Sequence, residues 1–223
     1  MRAGAAVIVF ARAPQPGRVK TRLAPRLGEW GAAHLHRRFV RRALHVALAA
    51  RCGPVELHGA PRGRHAFFLQ CARNRNISLW DQRGRDLGQR MFNAIADALR
   101  RHHAVILIGT DCPALRQSDL RGAARALAGG YDAVLAPAED GGYPLIGLRR
   151  ASPRLFERIA WGGPDVFART AEELDRLGWR WRRLRTLWDV DRPGDLARIR
   201  ALMPPHPPTC GWETGAKRAT CRT

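Results

Sequence analysis

The chain has 223 residues, is 45% apolar and carries a formal charge of +20. That length suits one sizeable α/β domain rather than two, and the composition is that of a globular protein. The charge invites a nucleic-acid reading, but the arginines are spread over the whole chain and none of the named nucleic-acid modules is present, so the excess reads as solvated helix faces that steer anionic ligands.

Five cysteines (Cys52, Cys71, Cys112, Cys210, Cys221) are odd in number and contain no C-x-x-C pair. This argues against a disulfide framework or a zinc site and predicts a cytoplasmic setting. No apolar run reaches the roughly 20 residues of a membrane helix, so no membrane insertion is expected. The apolar N-terminal stretch ends at Phe10 and meets Arg12 at once, a poor match to a signal peptide, so it reads as the first strand.

Strand-like runs recur at Val7–Phe10, Val55–His58, Ile77–Trp80, Val105–Ile108 and Ala133–Ala136. Helical patterns alternate with them over about Glu29–Ala50, Ala66–Arg73, Leu87–Arg101 and Ser118–Ala128; the third repeats Leu87, Met91, Ile95 and Leu99 at helical spacing. The alternation predicts βαβ units and a three-layer α/β/α fold with a mainly parallel sheet. Val105–Ile108 is apolar at every position, as a central parallel strand should be. Beyond Pro137 a further strand is expected within Gly141–Leu148, then helices at Pro153–Ile159 and about Asp165–Leu177. A strand at Trp179–Leu187 and a helix from about Pro193, ending before Pro204, complete the pattern. Residues 1–203 are thus expected to form one domain, and 204–223, rich in Pro, Gly and Thr, a disordered tail.

Parallel α/β sheets bind ligands beyond the carboxyl ends of their strands, and three polar segments fall there. The first is the loop after Phe10, which carries Arg12, Arg18, Lys20 and Arg22. Lys20 and Lys217 are the only lysines among 39 Lys and Arg residues, and a lysine kept inside that bias suits a compact point charge on phosphate. The second is Gly109-Thr110-Asp111-Cys112-Pro113 and the third Pro137-Ala138-Glu139-Asp140-Gly141-Gly142. Cations facing carboxylates at neighbouring strand ends fit a metal–phosphate ligand. On local sequence Asp111 is equally a metal ligand or an Asx-turn residue, Asp140 and its glycines a ligand contact or a turn, and Asp191 a metal ligand or a helix cap. The loop lacks the first glycine of G-x-x-x-x-G-K-[ST], and G-x-G-x-x-G is absent, so the P-loop and the Rossmann dinucleotide site are both excluded. His34, His36, His45 and His65 sit among arginines and are expected in solvent. Cys112 has no histidine placed near it in any motif and is not expected to be a nucleophile.

Assembled, these segments resemble a GT-A-fold family of nucleotide-diphospho-sugar transferase-like proteins. That family is also called radical-SAM/selenodomain-associated transferase 1 or arsenosugar-biosynthesis glycosyltransferase. The resemblance runs from about Val7 to Leu202. Its carriers are Phe10–Leu23, Gln82 with Asp86–Met91, Ile108–Leu115, Pro137–Tyr143, Leu145–Leu148 and Asp189–Leu196. The first loop and the Asp-x-Pro turn are also similar to phospholactate guanylyltransferase and the molybdenum-cofactor nucleotidyltransferases. The resemblance implies a GT-A sheet, Rossmann-like, with Ala11, Arg12, Pro14, Gly17, Arg18, Lys20, Arg22, Gly109 and Thr110 at the nucleotide and its phosphates. It implies Asp111 and Asp191 as ligands of Mg²⁺ or Mn²⁺, and Glu139, Asp140, Gly141, Gly142, Tyr143 and Trp161 on the sugar or acceptor side. The implied catalytic residues are Lys20, Asp111 and Asp140, the last orienting the sugar or acting as base. Three departures fall mostly on the acceptor side: Gly162-Gly163 replaces Ser-Thr after Trp161, Arg192 and Gly194 replace Thr and Glu, and Pro144 follows Tyr143.

The expected activity is therefore metal-dependent transfer from a nucleotide-diphosphate sugar to a small-molecule acceptor. The alternative is nucleotidyl transfer from an NTP to a phosphorylated small molecule, with pyrophosphate released. A third reading, a basic nucleic-acid-binding protein, predicts a steep salt dependence and no effect of Asp111→Ala. Oligomeric state is not legible.

Overall fold

The structure is a computed structural model and describes residues 4–202; the expected tail lies outside the described residues. Seven strands are present: β1 (Ala6–Arg12), β2 (Val55–Ala60), β3 (Ile77–Asp81), β4 (Val105–Ile108), β5 (Ala133–Ala136), β6 (Leu145–Leu148) and β7 (Trp181–Arg183). The helices are α1 (Ala24–Ala50), α2 (Ala66–Ala72), α3 (Leu87–Leu99), α4 (Gln117–Ala128), α5 (Val166–Arg176) and α6 (Leu196–Leu202). The strands join in the order β3-β2-β1-β4-β6-β5-β7. All pairs are parallel except those of β6, which runs antiparallel to β4 and β5.

Successive side chains on a strand point to opposite faces, and β1 and β4 are apolar on both. Val7, Val9, Ile106 and Ile108 pack under α1, α2 and α4. Ile8, Phe10, Val105 and Leu107 pack against α3 and α5. Each fully buried aliphatic side chain contributes about 1.5–3 kcal/mol, and this two-sided burial explains why the central strands were readable from sequence. α1 is broken at Gly28 (φ 70, ψ 164), so its regular part begins at the expected Glu29. α3 starts where Asp86 accepts a hydrogen bond from the Gln89 backbone N–H at 2.8 Å.

The second half departs from the expected elements. Only Leu145–Leu148 of the expected strand is extended, because Pro137–Pro144 forms the connection between two antiparallel strands. In that loop the Gly141 N–H donates to the Ala138 carbonyl and the Ala138 N–H to the Gly142 carbonyl. The expected helix at Pro153–Ile159 is a single 3₁₀ turn, Pro153–Leu155, and Arg158 has a positive φ of 57°. The expected strand Trp179–Leu187 shortens to β7, with one isolated bridge between Leu187 and Ala138.

The sheet is the expected mainly parallel GT-A type. Its order reverses between β1 and β4, where the chain leaves one strand toward β2 and the other toward β6. Loops leaving a reversal point diverge and open a crevice. No helix among the described residues is long and apolar enough to cross a membrane.

Candidate active site

A cleft of about 450 Å³ lies at this reversal point. Its cationic side is the loop after β1. Lys20 takes a left-handed conformation (φ 49, ψ 40) that turns its side chain inward, where it is 3% exposed. Its Nζ lies over the Phe39 ring, 5.9 Å from the centroid, and donates to the Val190 carbonyl at 2.5 Å. The same Nζ pairs with Asp111 Oδ2 at 2.9 Å. Arg22 pairs with Asp191. Arg12 and Arg18 line the cleft and pair with no carboxylate among the described residues.

The anionic side comes from the loop after β4 and from Asp189-Val190-Asp191. A backbone hydrogen bond from Val190 N–H to the Asp111 carbonyl, 3.0 Å, ties these segments together. Partial desolvation at the cleft wall disfavours ionisation of Asp111, whose side chain is still about half exposed, but Lys20 and His36 outweigh it and hold the carboxyl far below its ordinary range. His36 is 4% exposed. Its Nε2 lies 3.0 Å from the Arg12 carbonyl, which can only accept, so that nitrogen carries a proton. Its Nδ1 faces Asp111 Oδ1 at 3.7 Å. Asp189 is the opposite case from Asp111: burial, then the neighbouring carboxylates Asp111 and Asp140, push it up to about 7. Its Oδ1 is buried with no hydrogen-bond partner. Cys112, beside Asp189, is pushed up to about 12 by burial and that carboxyl, which disfavours a resting thiolate.

The remaining wall is apolar, with Phe10, Leu87, Met91, Leu107, Pro144 and Ile146. Gln82 closes one end, its amide Nε2 donating to the carbonyls of Ala11 (3.1 Å) and His58 (2.9 Å). A shallower recess of about 310 Å³ adjoins it and shares Arg12, Arg18 and Gln82 with the cleft.

Of the residues expected at a nucleotide, Ala11, Arg12, Arg18, Lys20, Arg22, Gly109 and Thr110 line the cleft, and so do Asp111 and Asp191. Pro14 and Gly17 do not; Gly17 (φ 71) turns the loop, and a Cβ there would lie 3.2 Å from Glu29 Oε1. Of the expected acceptor side only Tyr143 reaches the cleft wall. Glu139 is engaged by both terminal nitrogens of Arg198, at 2.7 and 2.9 Å. Asp140 is exposed and accepts from the Gly142 N–H at 3.0 Å. Gly141 (φ 87) lets the loop touch the chain at Pro164, where a Cβ would lie 1.7 Å from a carbonyl oxygen. Trp161 stacks on Phe156 and meets the edge of Tyr143. Sequence reasoning missed His36, Gln82 and Asp189 as site residues and placed His36 in solvent. The available signal for His36 was helical spacing, since Ala32, Leu35, His36, Phe39, Val40 and Ala43 form one buried stripe.

Among the described residues no group of three or more His, Cys, Asp or Glu side chains is arranged to hold a metal by itself. Asp111, Asp189 and Asp191 all line the cleft, and Asp189 Oδ1 is buried and unpartnered. Hard divalent cations are commonly held by one or two carboxylates together with substrate phosphates, so these aspartates could hold one only with a ligand's oxygens completing the shell.

The sheet order and the cleft at its reversal point define a GT-A-like α/β protein. The chain belongs to the family described as uncharacterized protein conserved in bacteria (DUF2064), whose model matches residues 43–163. A candidate nucleotide-diphospho-sugar transferase from Desulfovibrio desulfuricans G20 superposes with a TM-score of 0.80 at 32% identity, over 89% of this chain and 88% of that one. The fold is shared with CMP:2-keto-3-deoxy-manno-octonic acid synthetase in complex with CTP, at TM-score 0.54 and 15% identity over 90% of this chain and 98% of that one. It is shared too with 4-diphosphocytidyl-2C-methyl-D-erythritol synthase, at TM-score 0.57 and 12% identity over 91% and 99%. No curated protein matches the chain in sequence.

Proposed function

We propose that this protein is a divalent-metal-dependent transferase that takes a nucleotide-diphosphate sugar as donor and a small molecule as acceptor. The observation that carries the reading is Lys20, buried at the sheet's reversal point and held 2.9 Å from Asp111. The 32% identical Desulfovibrio protein supports the donor class.

Asp111 and Asp191 would hold Mg²⁺ or Mn²⁺. When bound, the cation offsets the charge that develops on the departing nucleoside diphosphate. Lys20 and Arg22 would exchange their aspartates for oxygens of the donor diphosphate, and Arg12 and Arg18, already without carboxylate partners, would complete the cationic side. His36, fixed by the Arg12 carbonyl, would add positive charge 3.7 Å from Asp111 when protonated. The apolar wall of Met91, Leu107 and Ile146 keeps water from one side of the reacting groups.

Nucleotidyl transfer is the alternative, and one observation favours it. Asp140, expected as base toward an acceptor hydroxyl, is turned to its own loop, whereas an attacking phosphate needs no base. Incubation with NDP-sugars and NTPs plus Mg²⁺ or Mn²⁺, followed by phosphorus NMR, separates the two. Nucleoside diphosphate release supports glycosyl transfer and pyrophosphate release supports nucleotidyl transfer. Neither product, together with no thermal shift by any nucleotide–metal pair, overturns both.

A further inference from the structure

The opposite end of the sheet carries a second concave site of about 600 Å³. Arg51 after α1, Arg121 and Arg125 on α4, Arg149 after β6 and His103 before β4 face it above a floor of small apolar residues. β6 runs antiparallel, which brings Arg149 to the same end as the starts of β1 and β4.

Among the described residues that line this pocket, none is acidic. Elsewhere in the molecule a number of arginines are neutralised or stacked. Arg83 and Arg100 pair with Asp97, Arg154 and Arg176 with Glu173, and Arg185 with Asp119. Arg37, Arg180 and Arg183 lie over aromatic rings. In this pocket Arg51, Arg121, Arg125 and Arg149 have neither kind of partner among the described residues, and Arg121 reaches only the Gln117 amide oxygen at 3.4 Å.

The pocket is also built. A Cβ on Gly4 would lie 1.8 Å from the Cys52 carbonyl oxygen, and one on Gly53 would lie 2.6 Å from that of Ala5. The chain entering β1 and the chain leaving α1 are thus clamped together to form one wall. Arg51 closes α1 in a left-handed conformation (φ 51, ψ 38), a position that glycine or asparagine ordinarily takes.

We propose that this pocket binds a small, multiply charged phosphate compound at a site separate from the cleft. Planar guanidinium forks match phosphate oxygens two at a time. Four of them exceed what one orthophosphate can satisfy, and the volume lies within the range of small-molecule sites, so a compound with two or more phosphates fits best. Cys52 lines the same pocket. Its thiol is raised by burial and pulled down by Arg121 and Arg125. An anion that occupies these guanidiniums removes that pull and makes Cys52 a local reporter.

The test uses the full chain and inorganic triphosphate. Alkylation of Cys52 by iodoacetamide is followed by peptide mass spectrometry, with Cys71, likewise buried but outside the pocket, as internal control. The expected result is a saturable slowing of Cys52 alkylation of several fold, with Cys71 unchanged. In Arg125→Gln/Arg149→Gln, both exposed positions, the half-saturating concentration rises at least tenfold while the melting temperature is kept. Arg51→Gln alone gives a smaller rise and serves if the double variant loses stability. Equal slowing by NaCl at matched ionic strength overturns the proposal, as does protection that is absent or unchanged in the variants. Protection by a DNA duplex but not by triphosphate overturns it in favour of a nucleic-acid surface.

Discussion

Replacing Lys20 with methionine removes the ammonium that lies over Phe39 and keeps an unbranched side chain in its place. The effect on folding is modest. The lost contacts are the 2.5 Å bond to the Val190 carbonyl and the pair with Asp111, whose side chain is 47% exposed. A hydrogen bond and a solvent-screened ion pair together contribute about 1–2 kcal/mol, which lowers the melting temperature by about 2–8 °C at this chain length. The effect on ligand binding is larger. A charge-assisted bond to phosphate contributes about 1.5–3 kcal/mol, and Asp111, stripped of its counter-charge, repels an incoming diphosphate by about 1 kcal/mol at near-aqueous screening. The sum, about 2.5–4 kcal/mol, corresponds to a rise in Kd of roughly 10²–10³-fold. Mg²⁺ shrinks the repulsive part because the cation neutralises Asp111. Calorimetric titration of Lys20→Met and wild type with nucleoside diphosphates, with EDTA and with Mg²⁺, measures both parts. A variant that keeps its fold and binds within threefold of wild type in both buffers refutes the assignment of Lys20 to phosphate.

Asp111→Asn is expected to abolish the gain in nucleotide affinity that Mg²⁺ gives wild type. Binding in EDTA should hold or tighten, because a negative charge leaves the cleft; paired titrations with and without metal read this. Glu56 is buried between His58 (3.0 Å) and Arg101 (2.6 Å), and although burial raises its carboxyl, those partners hold it below 4.5. A depressed carboxyl contributes stability that is complete above about pH 4.5 and lost as pH falls through the folded value. Glu56→Gln should therefore cost about 1–3 kcal/mol at pH 7 and flatten the acid limb of the stability profile, seen by urea unfolding at pH 7 and below 4.5. An equal loss at both pH values contradicts the buried ion-pair account. Gly59→Ala places a Cβ 2.5 Å from the Phe68 ring and 2.8 Å from Gly63 Cα; overpacking of this kind costs about 1–3 kcal/mol, and an unchanged urea midpoint refutes it.

The parts of the fold that were legible in the sequence are those where one local rule dominates. Val105-Ile106-Leu107-Ile108 could only be a strand buried on both faces, and its bounds match the expected ones. Asp86 and the spacing of Leu87, Met91, Ile95 and Leu99 marked α3 in the same way. The second half is governed by contacts distant in sequence. Gly141 is set against Pro164 and Leu187 against Ala138, and no window of a dozen residues contains both members of either pair. The site followed the same division. Lys20, Asp111 and Asp191 stand in loops at strand ends, where polar residues lack a core role and therefore draw notice. His36 sits in the middle of α1, and its role arises only because the fold brings the Arg12 carbonyl and Asp111, distant in sequence, against it. Asp189 was hidden by its neighbour: on sequence it and Asp191 are equivalent, and only the structure shows that Asp191 is neutralised by Arg22 while Asp189 is buried beside other carboxylates.

The formal charge of +20 is a poor guide to function until the arginines are sorted by partner. A guanidinium beside a carboxylate or over a ring is already neutralised or stacked, and it adds little to the field that a ligand meets. Arg198 shows both uses at once, bonded to Glu139 and lying over Trp188. Such arginines answer the composition of the chain and say nothing of its ligands. Of the described arginines with neither partner, two groups line concavities at opposite ends of one sheet. Arg12 and Arg18 stand at the cleft, where carboxylates are also present, and Arg51, Arg125 and Arg149 stand at a pocket without any. Mixed charge suits a phosphate that arrives with a metal, and cations alone suit a phosphate that arrives bare. The two sites should therefore differ in their response to Mg²⁺: nucleotide affinity at the cleft rises with the metal, and triphosphate affinity at the pocket falls, because Mg²⁺ competes with the guanidiniums for the same oxygens.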